Sequence, residues 1–458
     1  MPALPAIPDR WNMSLSSPKG GFLHSNDKQG TYPDSYYAAT ATPHAVLPSL
    51  EGDQSCDICI VGGGYAGLSS ALHLAQKGYK VIVLEAHRVG WGASGRNGGQ
   101  VCTGQRLDQD ALESMVGKDE ARALWDISVD GIQMVRDLIE THNIDCDFKP
   151  GTLHVDHKPH YAQESRAYVD KLHAKYGYDR IRYVDQAEAR EMVGSNAYYG
   201  GMLDDLSGHL HPLNYALGLS TAAQEAGAVI YENSEVASVK RGAKVTVQCA
   251  RGSVTADHLI LACNGYIENL MPKVAARVMP MNNYIIATEP LSEELARELI
   301  RDDVGVADSK FVVNYYRLSQ DRRLLFGGGE TYSFKFPQDI KSFVRQPMLD
   351  IYPQLRDVRI DYGWGGTLGI TVNRMPYFSK INKNIVNASG FSGHGLAIAT
   401  IAGQILADLI DGQASRFDTM EHVPTYPFPG GRHMRHALLV MAMLYYKMRD
   451  RIGTPARP

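Results

Sequence analysis

The stretch Cys56–Ala86, CDICIVGGGYAGLSSALHLAQKGYKVIVLEA, reads as a strand, a tight glycine turn, a helix and a second strand. Cys56–Val61 is a short apolar run, Leu68–Lys77 has helical spacing, and Lys80–Glu85 is apolar again, which together predict one βαβ unit. Gly62, Gly64 and Gly67 fall at its first turn in the G-x-G-x-x-G spacing. Gly62 permits the turn, Gly64 lets backbone approach a pyrophosphate, and Gly67 lets helix and strand pack closely. The free N–H groups and dipole at the N-terminus of the helix that follows favour an anion there. Glu85, 18 residues beyond Gly67, ends the second strand beside Ala86, where a carboxylate accepts hydrogen bonds from a ribose. The pattern predicts a dinucleotide site, with nicotinamide and flavin as the open alternatives.

At 458 residues the chain exceeds what one hydrophobic core usually organises. Its 46 basic and 50 acidic residues leave a net charge of -4 without long basic runs, which argues against a nucleic-acid partner. The six cysteines (Cys56, Cys59, Cys102, Cys146, Cys249, Cys263) lie mostly in apolar runs, and the first residues lack a basic flank leading into an apolar core. No run approaches the roughly 20 apolar residues of a membrane span. A reduced, cytoplasmic chain is expected.

Residues 1–54, rich in Pro, Ser, Tyr and Gly, read as an extended arm reaching the first strand near Asp57. Nucleotide-domain texture covers 55–106, returns at 199–266 and again at 356–430. Between these lie 107–198 and 267–355, read as a substrate domain. Its parts include helical patterns over Asp108–His142 and Tyr161–Tyr176, and strands over Gly151–Val155, Tyr284–Thr288, Phe311–Leu318 and Arg323–Phe326. Residues 431–458 form a closing helix and tail. The expected fold class is α/β: a discontinuous Rossmann-like domain interleaved with a β-rich, α+β substrate domain.

The residues after the second strand favour flavin. RVGWGASGRNGGQV (Arg88–Val101) holds five glycines with Ser94, Arg96 and Asn97, which lets backbone run beside a large flat ring. With GFSGHGL (Gly390–Leu396), ASVKRGAKVTVQC and DHLILACNG, it resembles the glycine oxidase and sarcosine oxidase group of FAD-dependent, D-amino acid oxidase-like amine oxidoreductases, over about residues 30–450. SYYAAT, VGWGASGRNGGQ, HLHPLNYALGL, LLFGGGET and GFSGHGLA look most like its gamma-glutamylputrescine oxidase branch.

The resemblance implies that FAD is lined by Gly62, Gly64, Tyr65, Ala66, Gly67, Glu85, Ala86, Arg88, Gly92, Ala93, Ser94, Arg96, Asn97, Gly98, Gly99 and Gln100. Val236 and the turn Cys263, Asn264, Gly265 are implied near the adenine half. Gly393, His394, Gly395 and Leu396 are implied at the isoalloxazine ring. A reduced flavin carries negative charge near N1 and the C2 carbonyl, which a helix N-terminus stabilises by about 0.3–1 kcal/mol. His394, Tyr315 and Trp364 are the candidate catalytic residues, and Tyr284, Tyr316, Arg317 and Phe391 the candidate substrate contacts, as an aromatic wall for an amine.

Two departures from the wider group bear on chemistry. Some sarcosine oxidases link flavin through a cysteine before a Thr-x-x-x-x-Pro run, whereas WGGTLGITVNRMP places Leu368 there, so noncovalent FAD is expected. Sarcosine oxidases also carry a lysine after the Gly-His-Gly run, where this chain has Ala397.

Other motifs read more plainly. Cys56-x-x-Cys59 belongs to a buried strand, and His209 and His211 lack further ligands nearby, so no metal site is expected. Asp204 and Asp205 read as a solvated or capping pair in a turn. The apolar stripe of the closing helix (Met434, Leu438, Met441, Tyr445, Met448) predicts packing or a subunit contact in an oligomer; docking to the inner face of a membrane is the alternative.

The expected activity is oxidation of gamma-glutamylputrescine or a similar alkyl amine by hydride transfer to flavin N5, giving an imine that water hydrolyses to an aldehyde. Oxygen or a quinone is the expected electron acceptor. The alternatives are an L-pipecolate or other amino-acid dehydrogenase of the same fold, and a membrane-associated flavin electron-transfer component.

Overall fold

The computed structural model describes residues 21–310, 312–331 and 333–430. The opening βαβ unit forms as expected: the strand Gly52–Val61, the helix Tyr65–Gln76 and the strand Val81–Leu84. Ile58 stands opposite Val81 and Val61 opposite Leu84 in a parallel pairing. Both strands are buried on both faces at this end, which is why they read as continuous apolar runs rather than alternating ones.

These strands lie within an eight-stranded sheet ordered Tyr377–Asn382, Ile385–Ser389, Gly252–Leu261, Gly52–Val61, Val81–Leu84, Val229–Tyr231. The strands Val236–Lys240 and Val245–Cys249 join it through Gly252–Leu261. The helix Tyr65–Gln76 packs against the late helix Leu396–Ile410, and the approach is close. A Cβ on Gly403 would stand 2.4 Å from the Ser69 Cβ, and the Ser69 hydroxyl donates to the Thr400 carbonyl at 2.6 Å.

The second sheet has nine strands, ordered Ile360–Ile370, Met279–Thr288, Leu324–Thr331, Tyr315–Leu318, Gly305–Asp308, Lys149–Val155, Gly201–His209, Gln100–Val101, with Ile181–Val184 paired to Gly201–His209. It therefore takes in 100–101, 201–209 and 360–370, three segments that the sequence reading assigned to the nucleotide-binding pieces. Strand periodicity shows that a segment is extended but not which sheet supplies its hydrogen bonds, so those boundaries could not be read locally.

Other differences have local causes. The expected 108–142 helix is two, Gln109–Val116 and Lys118–Thr141, because Gly117 takes φ 88° between them. The 161–176 helix is Pro159–Lys171 followed by a π-helical turn, Leu172–Tyr176.

The described part of the arm carries one short helix, Tyr36–Thr40. It ties both sheets together: Tyr32 donates to the Val89 carbonyl at 2.7 Å, and Asn26 exchanges hydrogen bonds with the Phe334 carbonyl and the Phe336 N–H. The closing helix lies outside the described residues. Among the described residues no helix is long and apolar enough to cross a membrane.

Candidate active site

A continuous cavity of about 2500 Å³ starts at the glycine turn, follows the 91–107 segment and ends between the second sheet and the first turn of Leu396–Ile410. A drug-sized ligand fills about 300–1,000 Å³. This volume suits a dinucleotide with a substrate beside it. Its start lies outside the carboxyl ends of parallel strands, the usual crevice of such sheets.

The turn is built by contacts that exclude side chains. Gly62 takes φ 112°, and a Cβ there would meet the Ala262 carbonyl oxygen at 2.6 Å. A Cβ on Gly67 would stand 1.9 Å from the Gly62 carbonyl oxygen. Gly67 thus packs helix on turn and does not line the cavity, whereas Gly62, Gly64, Tyr65 and Ala66 do. The helix cap Gly64 offers no side chain to the first-turn N–H groups, one of which, from Tyr65, donates to the Ser94 hydroxyl at 3.0 Å.

Glu85 is 8% exposed. One of its oxygens accepts the Gly63 N–H at 2.7 Å and the other the His87 N–H at 2.8 Å. Burial raises its pKa from 4.5 to about 7, and the backbone donors oppose that rise. The carboxylate is fixed at the cavity wall next to Ala86.

The glycine-rich loop is fastened from beneath. Asn97 donates to the Ala93 and Ser94 carbonyls at 3.1 and 2.9 Å and accepts the Gly99 N–H at 2.8 Å. The buried Tyr65 hydroxyl donates to the Pro212 carbonyl at 3.0 Å, pinning the same region. Arg96 is 3% exposed; it donates to the Trp91 carbonyl at 2.6 Å and pairs with Asp27 of the arm at 2.6 Å. Gly92, Ala93, Ser94, Arg96, Asn97, Gly98 and Gln100 all line the cavity, as do Val236, Cys263 and Asn264.

Besides Gly67, three expected cofactor residues stand behind the wall. Arg88 pairs with the buried Glu232 at 2.7 Å and lies over the Tyr32 ring. A Cβ on Gly99 would meet the Leu210 carbonyl oxygen at 2.1 Å, and one on Gly265 the Leu368 carbonyl oxygen at 2.7 Å. Each permits chain to pass chain.

At the far end Phe391, Gly393, His394, Gly395 and Leu396 line the cavity, and Gly395 caps the late helix. His394 Nε2 lies 3.0 Å from the Gly104 carbonyl. A carbonyl only accepts, so Nε2 carries the proton and Nδ1 is the acceptor nitrogen of a neutral ring. Burial, aided by the charge of Arg106, lowers the His394 pKa to about 4.

The aromatic wall is mostly elsewhere. Tyr315 lines the cavity and its hydroxyl donates to Asn283. Tyr284, Tyr316, Arg317 and Trp364 do not line it. Along the strand Met279–Thr288, Met281, Asn283 and Ile285 face the cavity, so Tyr284 points to the opposite face and meets Phe336 and Phe343 edge-on. Tyr316, one residue from Tyr315, is likewise turned away and stacks on Phe326. Trp364 donates to the Arg96 carbonyl at 3.0 Å, and Arg317 donates to the Gly98 carbonyl at 2.9 Å. Both support the glycine-rich loop from behind.

Sequence reading missed Met281, Asn283 and Ile285, whose alternation was the available signal, and the Cys102–Leu107 segment, which carried none. His209 and His211 are structural: His209 donates to the Asp303 carbonyl at 2.7 Å, and His211 Nδ1 accepts the Asn214 N–H at the cap of the helix Pro212–Glu225.

A dinucleotide-sized cavity, an uncapped helix N-terminus, a fixed carboxylate and a second helix N-terminus at the far end fit FAD. Residues 57–409 match the family described as "DAO: FAD dependent oxidoreductase", and the chain belongs to it. The protein is an FAD-dependent oxidoreductase. Among curated relatives, the chain is 42% identical over 423 residues to gamma-glutamylputrescine oxidoreductase of Escherichia coli, covering 92% of this chain and 98% of that protein. It is 39% identical to the probable oxidoreductase OrdL of Rhizobium meliloti, covering 91% and 97%. The fold matches the crystal structure of glycine oxidase from Geobacillus kaustophilus with a TM-score of 0.66 at 20% identity, covering 79% of this chain and 95% of that one.

Proposed function

We propose that the protein oxidises gamma-glutamylputrescine or a similar alkyl amine to an imine, which water hydrolyses to an aldehyde, with oxygen or a quinone as the final acceptor. The observation that carries this reading is the 42% identity to gamma-glutamylputrescine oxidoreductase over nearly the whole of that chain. FAD supplies two-electron acceptance at N5 when bound; the side chains hold, orient and enclose.

The glycine turn and the helix Tyr65–Gln76 hold the pyrophosphate, Glu85 the ribose, and the first turn of Leu396–Ile410 the ring's negative end. His394, neutral and tied through Nε2–H to Gly104, presents Nδ1 as an acceptor. Leu368 stands in the cavity wall, and burial pushes the thiols of Cys102 and Cys263, also in that wall, up to about 12. Protonated thiols are poor nucleophiles, which supports noncovalent FAD.

Ala397, in the first turn of the late helix, supports a substrate without a carboxylate at the reacting carbon. A carboxylate left unpaired in a closed site costs several kcal/mol. The Arg96 charge is paired with Asp27 through Nη1, and Arg317 donates to backbone carbonyls.

Anaerobic mixing of the holoenzyme with amines and amino acids, followed by flavin absorbance, tests the reading. Gamma-glutamylputrescine is expected to bleach the flavin fastest. Should sarcosine or pipecolate be preferred tenfold in kcat/KM, about 1.4 kcal/mol of transition-state preference, the substrate assignment is wrong. Arg106, in the wall near His394, would then be the cation to examine.

A further inference from the structure

The strand Gly201–His209 brings a carboxylate to the cavity that none of the steps above uses. Asp204 and Asp205 do not sit in a turn; they are successive strand residues and face opposite sides. Asp205 is exposed and pairs with Arg180 at 2.6 Å. Asp204 is 5% exposed and lines the cavity.

Five neutral donors hold Asp204. Oδ1 accepts the Tyr178 hydroxyl at 2.7 Å and the N–H groups of Leu206 and Ser207 at 3.1 and 3.3 Å. Oδ2 accepts the hydroxyls of Ser207 and Thr103. Among the described residues no cationic side chain forms an ion pair with it. Arg180 turns to Asp205, and Arg136 to the Leu206 carbonyl and over the Phe148 ring, while Arg106 stands in the same wall without an ion pair to Asp204. Neutral donors fix the charge in place but leave its field uncancelled.

The position of that field matters. Thr103, which donates to Asp204, precedes Gly104, whose carbonyl holds the His394 ring. The carboxylate therefore shares the chamber with His394, Tyr315 and Asn283.

We propose that Asp204 is the specificity-determining anion of the substrate chamber, retaining alkylammonium groups by charge and disfavouring neutral compounds and those with a carboxylate at the reacting carbon. This rests on the amine reading above. Hydrogen-bonding capacity at Asp204 is already taken up by the protein, so the attraction acts through the field rather than through a direct short contact.

Asp204→Asn isolates the charge. The amide oxygen can keep the three Oδ1 donors, and its NH2 faces two hydroxyls that can accept instead of donate. The probes are hexylammonium and neutral 1-hexanol, titrated into holoenzyme at one pH by calorimetry and by flavin absorbance. Wild type is expected to bind hexylammonium at least tenfold more tightly than hexanol. Asp204→Asn should weaken hexylammonium at least tenfold, leaving hexanol within twofold and FAD content unchanged. Thr103→Ala, which keeps the charge, should leave hexylammonium within threefold.

Less than threefold preference in wild type overturns the proposal, as does equal weakening of both probes in Asp204→Asn, or a loss in Thr103→Ala as large as that in Asp204→Asn. Should Asp204→Asn fail to fold, Asp204→Ser makes the same comparison, and the wild-type ratio stands as a test by itself. Charge-selective binding without oxidation of any amine would defeat the functional reading and leave this assignment standing. Amine oxidation with unaltered selectivity in Asp204→Asn would do the reverse.

Discussion

Glu85→Gln tests the cofactor site through its proton. The wild-type carboxyl accepts two backbone N–H groups, and burial raises its pKa from 4.5 to about 7, with the nearby Glu232 adding to the rise. Below pH 4.5 the group is protonated folded and unfolded, and it costs folding nothing. Between 4.5 and 7 the unfolded chain releases the proton while the folded one keeps it, so stability falls as pH rises; above 7 the loss is complete. The difference, 7 minus 4.5, corresponds to about 3 kcal/mol. The apoprotein should lose about that much unfolding free energy from this group between pH 4.5 and pH 8, and Glu85→Gln should lack that part of the slope.

FAD binding carries the same proton with the opposite sign. Ribose hydroxyls donate to an ionised carboxylate, so binding at low pH must expel the proton first. FAD affinity of the wild-type apoprotein, titrated by flavin fluorescence quenching, should be about thirtyfold weaker at pH 5.5 than at pH 8.5. Glu85→Gln should bind FAD weakly and show almost none of this dependence, since one amide face meets an N–H group with a donor, a mismatch worth about 1–3 kcal/mol. A wild-type affinity independent of pH over this range, or a Gln variant with the wild-type slope, would refute the role given to Glu85.

Gly67→Ala places a Cβ 1.9 Å from the Gly62 carbonyl oxygen, where real contacts stay above 3.0 Å; the turn must open, costing about 1–3 kcal/mol, and the purified protein should show substoichiometric FAD by absorbance. Acid precipitation of the holoenzyme should leave a yellow supernatant and a colourless pellet, and a yellow pellet would disprove noncovalent binding. Asp27→Ala leaves the buried Arg96 guanidinium without its 2.6 Å partner; a loss of about 3 kcal/mol should appear as a lowered Tm and faster FAD release, and unchanged release would separate the arm from cofactor retention.

The parts of this protein legible in its sequence are those whose physics is local. Strand, glycine turn, helix and acid lie within thirty-one consecutive residues; Gly67 is demanded by a contact inside that unit and Gly62 by the chain leaving the strand beside it. The glycine-rich loop and the Gly-His-Gly turn were legible for the same reason: chain without side chains can approach a flat ring, and a helix starts immediately after the second of them.

Facing and partnership were not legible. Tyr315 reaches the cavity and Tyr316 does not because sheet pairing fixes which face of Tyr315–Leu318 is turned inward, and each face carries a tyrosine. Arg317 and Trp364 are large and polar-tipped, as a substrate contact would be, yet their tips find the Gly98 and Arg96 carbonyls, groups more than two hundred residues away. Asp204 read as a solvated turn residue because its burial depends on Thr103 and Tyr178 from separate segments. The sequence by itself determined a dinucleotide fold, its phosphate turn and its flavin-side loops, since those follow from backbone sterics over short spans. Only the tertiary structure decided which side chains face the substrate, because that depends on the register of strands distant in sequence.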